Sequence, residues 1–151
     1  MKIREMQQGD IPAVVEIENQ NFREPWTQAI FKEEMAQGTR TYYIAELEDQ
    51  VIGYMGLIWI LDEGHITNVA IDAKHQGKGY GRTLMTHVAN IAFGRGLVSM
   101  TLEVRASNAR AIHVYESLGF INEGTRPKYY EGREDAYIMW LYKGDWDERT
   151  V

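Results

Sequence analysis

The chain has 151 residues, a formal net charge of -6 and 44% hydrophobic residues, a size and composition that suit one domain with its own core. It carries no cysteine, which excludes disulfides, thiolate catalysis and cysteine-ligated zinc. The acidic balance argues against general nucleic-acid binding, which relies on Lys and Arg. No run approaches the ~20 apolar residues of a membrane helix, and the polar start does not read as a secretory signal, so a cytoplasmic location is expected.

In chain order, a short alternation at residues 2–6 reads as a strand. Asp10 is placed to cap a helix carrying Ile11, Val14, Val15 and Ile17, with Pro12 tolerated in its first turn. A second helix is expected from Thr27, with Ile30, Phe31 and Met35 on one face. Two β-rich runs, residues 41–47 and 51–61, flank Glu48-Asp49-Gln50 and predict a hairpin. The polar break Asp62-Glu63-Gly64 then leads into residues 65–71, completing an antiparallel meander.

Residues 79–95 return to helical spacing through Leu84, Met85, Val88 and Ala92, with stop signals at Gly94 and Gly96. Residues 98–104 alternate, placing Met100, Leu102 and Val104 on one face and Thr101, Glu103 and Arg105 on the other. Ser107-Asn108 caps a helix whose Ala111, Ile112, Tyr115 and Leu118 share a face and which Gly119 ends. Two closing strands are expected at 120–124 and 136–142, joined by a polar, aromatic segment, with a disordered polar tail at 144–151. The order is β-α-α-β-β-β-α-β-α-β-β, a mixed α/β or α+β sheet with helices on its faces.

Gln76-Gly77-Lys78-Gly79-Tyr80-Gly81-Arg82 stands directly between a strand and a helix. Backbone N–H groups can converge there on an anion at the helix N-terminus, glycines allow close approach, and Lys78 and Arg82 add charge. The segment therefore reads as a diphosphate cradle. A Walker A loop is excluded because no Gly-Lys-Ser/Thr occurs. A dinucleotide fingerprint fits poorly: Glu103 lies about 20 residues on, but the spacing is G-x-G-x-G and the loop follows the fourth strand.

The loop resembles the Gln/Arg-x-x-Gly-x-Gly/Ala signature of the GNAT superfamily of acyl-CoA N-acyltransferases. A second block, Leu102-Glu103-Val104-Arg105-Ala106-Ser107-Asn108 with Ala111 and Tyr115-Glu116-Ser117-Leu118-Gly119-Phe120, is similar to that superfamily's second cofactor motif. Glu24-Pro25-Trp26, Ile66-Thr67-Asn68-Val69-Ala70-Ile71, Arg126-x-x-Tyr129-Tyr130 and Glu134-Asp135-Ala136 resemble the RimI-type ribosomal-protein alanine N-acetyltransferases within it. The resemblance implies a single-domain fold over residues 1–143, with a mostly antiparallel sheet of about seven strands and about four helices.

It also implies roles. Val69, Ala70 and Ile71 would offer backbone groups to the pantetheine arm of acetyl-CoA, and residues 76–82 with Asn108 would hold the rest of that co-substrate. A backbone N–H near the thioester carbonyl could stabilise the oxyanion. By position in the family, Glu103 is the base that takes the proton of the attacking amine and Tyr115 the acid that protonates the leaving thiolate. Trp26, Arg126, Tyr129 and Tyr130 become acceptor-groove candidates. The implied acceptor is a protein N-terminus, that of a small-subunit ribosomal protein; a role inside a larger complex with another protein stays open.

Asn108 and Tyr115 lie two helical turns apart and so share a face. Tyr115 also fits the apolar stripe of its helix, and Glu103 alone would read as a solvated strand residue. His65, His75, His87 and His113 show no metal-ligand spacing, so no metal is expected. Acetylation of lysine or a small amine, or cofactor binding without catalysis, stays open, because one cofactor site serves many acceptors.

Overall fold

The computed structural model describes residues 1–150, with side chains through Glu148. Its elements are β1 (Lys2–Glu5), α1 (Ile11–Asn21), α2 (Gln28–Met35), β2 (Arg40–Leu47), β3 (Gln50–Ile60), β4 (Glu63–Ile71), α3 (Tyr80–Gly94), β5 (Ser99–Arg105), α4 (Ala109–Leu118), β6 (Ile121–Tyr130), β7 (Glu134–Tyr142) and α5 (Lys143–Thr150). The strands form one seven-stranded sheet in the order β1-β2-β3-β4-β5-β7-β6. The β4–β5 pair is parallel, while β1–β2, β2–β3, β5–β7 and β6–β7 are antiparallel. By contact density the chain forms two compact units: Met1–Trp59 with Thr67–Asn90, and Ile60–Ile66 with the chain from Ile91 onward.

In the first unit, Ile11, Val14 and Ile17 of α1 pack with Phe31, Tyr42, Ile44 and Tyr54 in one apolar cluster. Thr27 caps α2, its side chain accepting the Ile30 N–H at 3.3 Å. Phe31 is wholly buried, but Ile30 is 37% exposed, so the core face of α2 is narrower than its apolar content suggests. Asp10 stands at the N-cap of α1, but its side chain makes no cap hydrogen bond. Its carboxylate instead accepts the Gln7 N–H at 2.8 Å and the Arg4 guanidinium at 2.8 and 2.9 Å, closing a 3-10 turn before the helix. A charged donor two-pronged in geometry outcompetes the helix N–H groups for the same oxygens.

The β2–β3 turn puts Glu48 and Asp49 at φ of 50° and 63°, the paired left-handed conformation of a two-residue hairpin. The β3–β4 turn falls at Leu61 and Asp62, one step before the expected break. Leu61 takes a φ of 54° and is 97% exposed, while Glu63 and Gly64 already belong to β4.

Gly56 of β3 is required by packing. A Cβ there would collide with Thr67 Oγ1 and with the Tyr42 ring. Gly56→Ala is expected to destabilise by about 1–3 kcal/mol despite the lower chain entropy of alanine. Gly38→Ala, where a Cβ meets nothing within 4 Å, should leave the melting temperature unchanged. Thermal unfolding of the pair checks this.

In the second unit, Met100, Leu102 and Val104 of β5 are buried with Leu118, Phe120, Met139 and Leu141, and Glu103 and Arg105 lie on the other face. Asn108 caps α4 by accepting the Ala111 N–H at 3.2 Å, and Gly119 ends it at φ 106°. β6 does not stop at Gly124. It continues to Tyr130 and turns at Glu131 and Gly132, both at positive φ, straight into β7. β6 is an edge strand exposed along most of its length, so no apolar alternation marks it in the sequence. Residues 144–150, expected as a disordered tail, are helical within α5. Trp146 is only 5% exposed and its ring lies 6.3 Å from that of Phe93. One large aromatic ring is enough to dock an otherwise polar helix. The last tail residue, Val151, lies outside the described residues.

Candidate active site

In the first unit the candidate site comprises the end of β4, the loop after it and the first turn of α3. The Asp72 N–H donates to Ile52 O at 2.7 Å. Strand alternation then turns the backbone groups of Ala70 toward β3 and those of Val69 and Ile71 to the opposite edge. On that edge the parallel ladder to β5 covers Glu63, Gly64 and His65 only. The Ile71 carbonyl is taken up within the protein, accepting from Gln76 Nε2 at 2.9 Å and Asn21 Nδ2 at 3.3 Å. Of the three residues expected to meet a pantetheine, Val69 thus presents its backbone fully, Ile71 its N–H, and Ala70 faces its neighbouring strand.

The loop is braced from below by α1. Gln76 Nε2 also donates to Asn21 Oδ1 at 3.0 Å, and Gln20 bonds both Asp72 and the Ala73 N–H. Gln76 therefore holds the loop's shape. Gly77 and Gly79 take φ of 77° and 85°, which side chains resist. Residues 76–79 are exposed, and a Cβ on Gly79 would meet no atom within 4 Å. The Thr83 N–H already bonds Gly79 O at 3.1 Å, while the N–H groups of Tyr80, Gly81 and Arg82 precede the helix's own acceptors. The helix N-terminus, open space over Gly79, and the side chains of Lys78 and Arg82 suit a diphosphate.

In the second unit Glu103 meets three of its expected companions. Its carboxylate lies 3.4 Å from the Arg126 guanidinium, with side-chain exposures of 29% and 54% respectively. The Glu103 carboxylate facing the Tyr129 hydroxyl, together with partial burial, raises that hydroxyl's pKa. Tyr130 is pushed up to about 12, by burial first and then by the negative charge of Glu103. The Tyr129 and Tyr130 rings pack edge to face at 5.1 Å, and the Arg126 guanidinium stands 5.3 Å from the Tyr129 ring centre.

Tyr115 of α4 is half-buried, its ring 5.9 Å from that of Phe120. Burial, and next the neighbouring Tyr130, raises its hydroxyl pKa far above the ordinary value. Asn108 spends its side-chain oxygen on the α4 cap. Trp26 belongs to the first unit, where its ring stands 5.4 Å from Phe31 and packs against the core.

Arg105 is a residue the sequence reading did not single out. It lies 4.2 Å over the Tyr130 ring, pairs with Glu131 at 2.8 Å and Glu134 at 3.3 Å, and Glu134 accepts the Ser107 N–H at 2.9 Å. The β6–β7 hairpin and the start of α4 are tied together through it. Among the described residues no group of His, Asp or Glu is placed to hold a metal ion, and no helix is long and apolar enough to cross a membrane.

A glycine-rich loop opening a helix after the fourth strand of a mixed seven-stranded sheet is the arrangement expected of an N-acetyltransferase. The chain belongs to the acetyltransferase (GNAT) family, whose model matches residues 11–120. It is 35% identical over 142 residues to the ribosomal protein bS18-alanine N-acetyltransferase of Escherichia coli K12, covering 92% of this chain and 95% of that one. The Salmonella typhimurium enzyme of the same description is 40% identical over 137 residues, covering 87% and 90%. The crystal structure of the E. coli ribosomal-protein-S18-alanine N-acetyltransferase superposes with a TM-score of 0.87, covering 93% of this chain and 92% of that one. Ard1 from Thermoplasma volcanium, 27% identical, gives the same TM-score over 93% and 96%.

Proposed function

We propose that the protein transfers the acetyl group of acetyl-CoA to the N-terminal α-amine of a protein, with ribosomal protein bS18 as acceptor. The observation that carries this reading is near-full-length identity of 35–40% to enzymes described by that reaction. Support from the geometry lies in the residues themselves. The β4 edge at Val69 and Ile71 suits an extended pantetheine, which carries amides and can pair like an added strand. The loop at residues 77–82 suits the diphosphate.

The acceptor nitrogen attacks the thioester carbonyl, the carbon–sulfur bond breaks, and an amide forms. Glu103 takes the proton the nitrogen must lose, directly or through water, and Tyr115 returns one to the departing sulfur. An α-amine, with a pKa of about 8, needs little help to lose its proton near neutral pH, whereas a lysine at about 10.4 needs more. A single carboxylate as base fits the first better than the second. Tyr129, Tyr130, Arg126 and Trp26 are assigned to the acceptor. Work on a ribosomal protein would place the enzyme in the cytoplasm.

The test is a panel of short peptides with free N-termini, alongside N-blocked, lysine-containing and polyamine controls, incubated with labelled acetyl-CoA. Transfer to free α-amines alone, with alanine or serine first, is the expected result. Transfer to the controls would move the acceptor class, and acetyl-CoA binding without any transfer would make the protein a binding module.

A further inference from the structure

The reaction as assigned leaves one buried carboxylate unused. Glu18 is 2% exposed. Its Oε1 accepts from the Tyr54 hydroxyl and from Asn68 Nδ2 at 3.2 Å, and its Oε2 accepts the Trp26 N–H at 2.9 Å. Burial first, then the charge of Glu18 and the hydrogen bond to it, raise the Tyr54 pKa far above the ordinary value. A buried ionisable group of this kind adds little net stability over an apolar side chain of equal size. What distinguishes it is the set of elements it joins: α1, the β3 strand, the β4 strand one residue before Val69, and the segment 22–27 that links α1 to α2.

We propose that Glu18 is a positioning residue for the acceptor. It holds the main chain at Trp26 in fixed relation to Asn68, and so sets the α1–α2 segment against the strand assigned to the cofactor. The Trp26 ring is held on its other side by Phe31, whose ring in turn stands edge-on to Tyr54 at 5.9 Å. The segment is thus fixed by one charge-assisted hydrogen bond from its backbone and one aromatic contact from its side chain. Removing the acceptor oxygens frees the backbone while leaving the ring contact in place. This inference rests on the reading of Trp26 as an acceptor-groove residue.

Glu18→Met keeps the volume and removes both oxygens. Glu18→Gln keeps one acceptor and, if Tyr54 and the Asn68 amide rotate, can satisfy all three partners. Two readouts are used on the whole chain. The first is amide hydrogen exchange. In Glu18→Met the Trp26 amide should exchange at least about tenfold faster, the loss of one hydrogen bond to a charged group, while amides of the buried part of α3 hold their rates. The second is the split of kinetic constants with a free N-terminal peptide. The acceptor KM should rise about tenfold with the acetyl-CoA KM within twofold, Glu18→Gln should recover most of it, and adding Glu18→Met to Trp26→Ala should change little further.

An unchanged Trp26 exchange rate, or a fall in kcat with both KM values steady that follows the melting temperature, overturns the inference. If the wild-type protein acetylates no free α-amine, it is the proposed function that fails, and the exchange measurement still decides whether Glu18 fixes the Trp26 segment.

Discussion

Glu103→Gln is expected to lower kcat by about 10²–10⁴-fold, the range that one positioned base contributes, with the acetyl-CoA dissociation constant nearly unchanged. The substitution is close to isosteric. A glutamine side chain can still face the Tyr129 hydroxyl, so the shape of the contact with the hairpin is kept. The Arg126 partner is more than half exposed, and an exposed ion pair of this sort contributes at most about 1 kcal/mol. What the amide cannot do is take a proton. Steady-state kinetics together with equilibrium binding of acetyl-CoA check the result, and a variant with unchanged kcat would move the base elsewhere. Tyr115→Phe should cost less. The raised pKa keeps the Tyr115 hydroxyl protonated well past the usual tyrosine value of about 10, so its donor role persists through the neutral and mildly alkaline range and is lost only above the raised value.

Gly79→Val should weaken acetyl-CoA binding by roughly tenfold or more while leaving the fold nearly intact. The residue has a φ of 85°, and left-handed backbone costs an ordinary side chain about 1–2 kcal/mol, more for a branched one. A Cβ there meets no protein atom within 4 Å, so the penalty is conformational and does not come from a clash. The loop can relieve it by rotating, which displaces the N–H groups of the first α3 turn. If it does not rotate, the new side chain stands in the open space over the loop. Either response acts on the ligand, and about 1.4 kcal/mol corresponds to tenfold in affinity. Gly94→Ala, at another position with room and an ordinary backbone, should change neither binding nor melting. Calorimetric titration of both variants checks the contrast, and equal affinity in Gly79→Val would show that the loop does not hold the diphosphate.

The sheet, its helices and the loop were legible because each carries a local signal. Alternation marks β5, the Asn108 cap and Gly119 bound α4, and the glycines punctuate the loop. The errors fall where tertiary contacts override such signals. Asp10 has the chemistry of a helix cap but is claimed by Arg4, which is brought to it from β1. β6 has no apolar face to betray it at the sheet edge, and Trp146 recruits a polar segment into α5. Within the candidate site, Glu103, Arg126, Tyr129 and Tyr130 do come together, but the braces are distributed differently from the motifs. Gln76 and Asn21 spend their polar groups on loop shape, and Arg105 ties the hairpin to α4. Glu18 had a readable sign. It falls on the i, i+3, i+4, i+7 register of Ile11, Val14 and Val15, where a carboxylate interrupts an apolar stripe. Its partners, Tyr54 and Asn68, are far along the chain, so only the fold reveals what it holds.

The most direct measurement is to incubate the purified protein with acetyl-CoA and intact ribosomal protein bS18, and to locate the product by fragment mass spectrometry. One acetyl group on the N-terminal α-amine, absent when Glu103→Gln replaces the wild-type protein, is the predicted result. Acetyl groups on lysine side chains, or an unmodified bS18 under conditions where a polyamine is acetylated, would contradict the account.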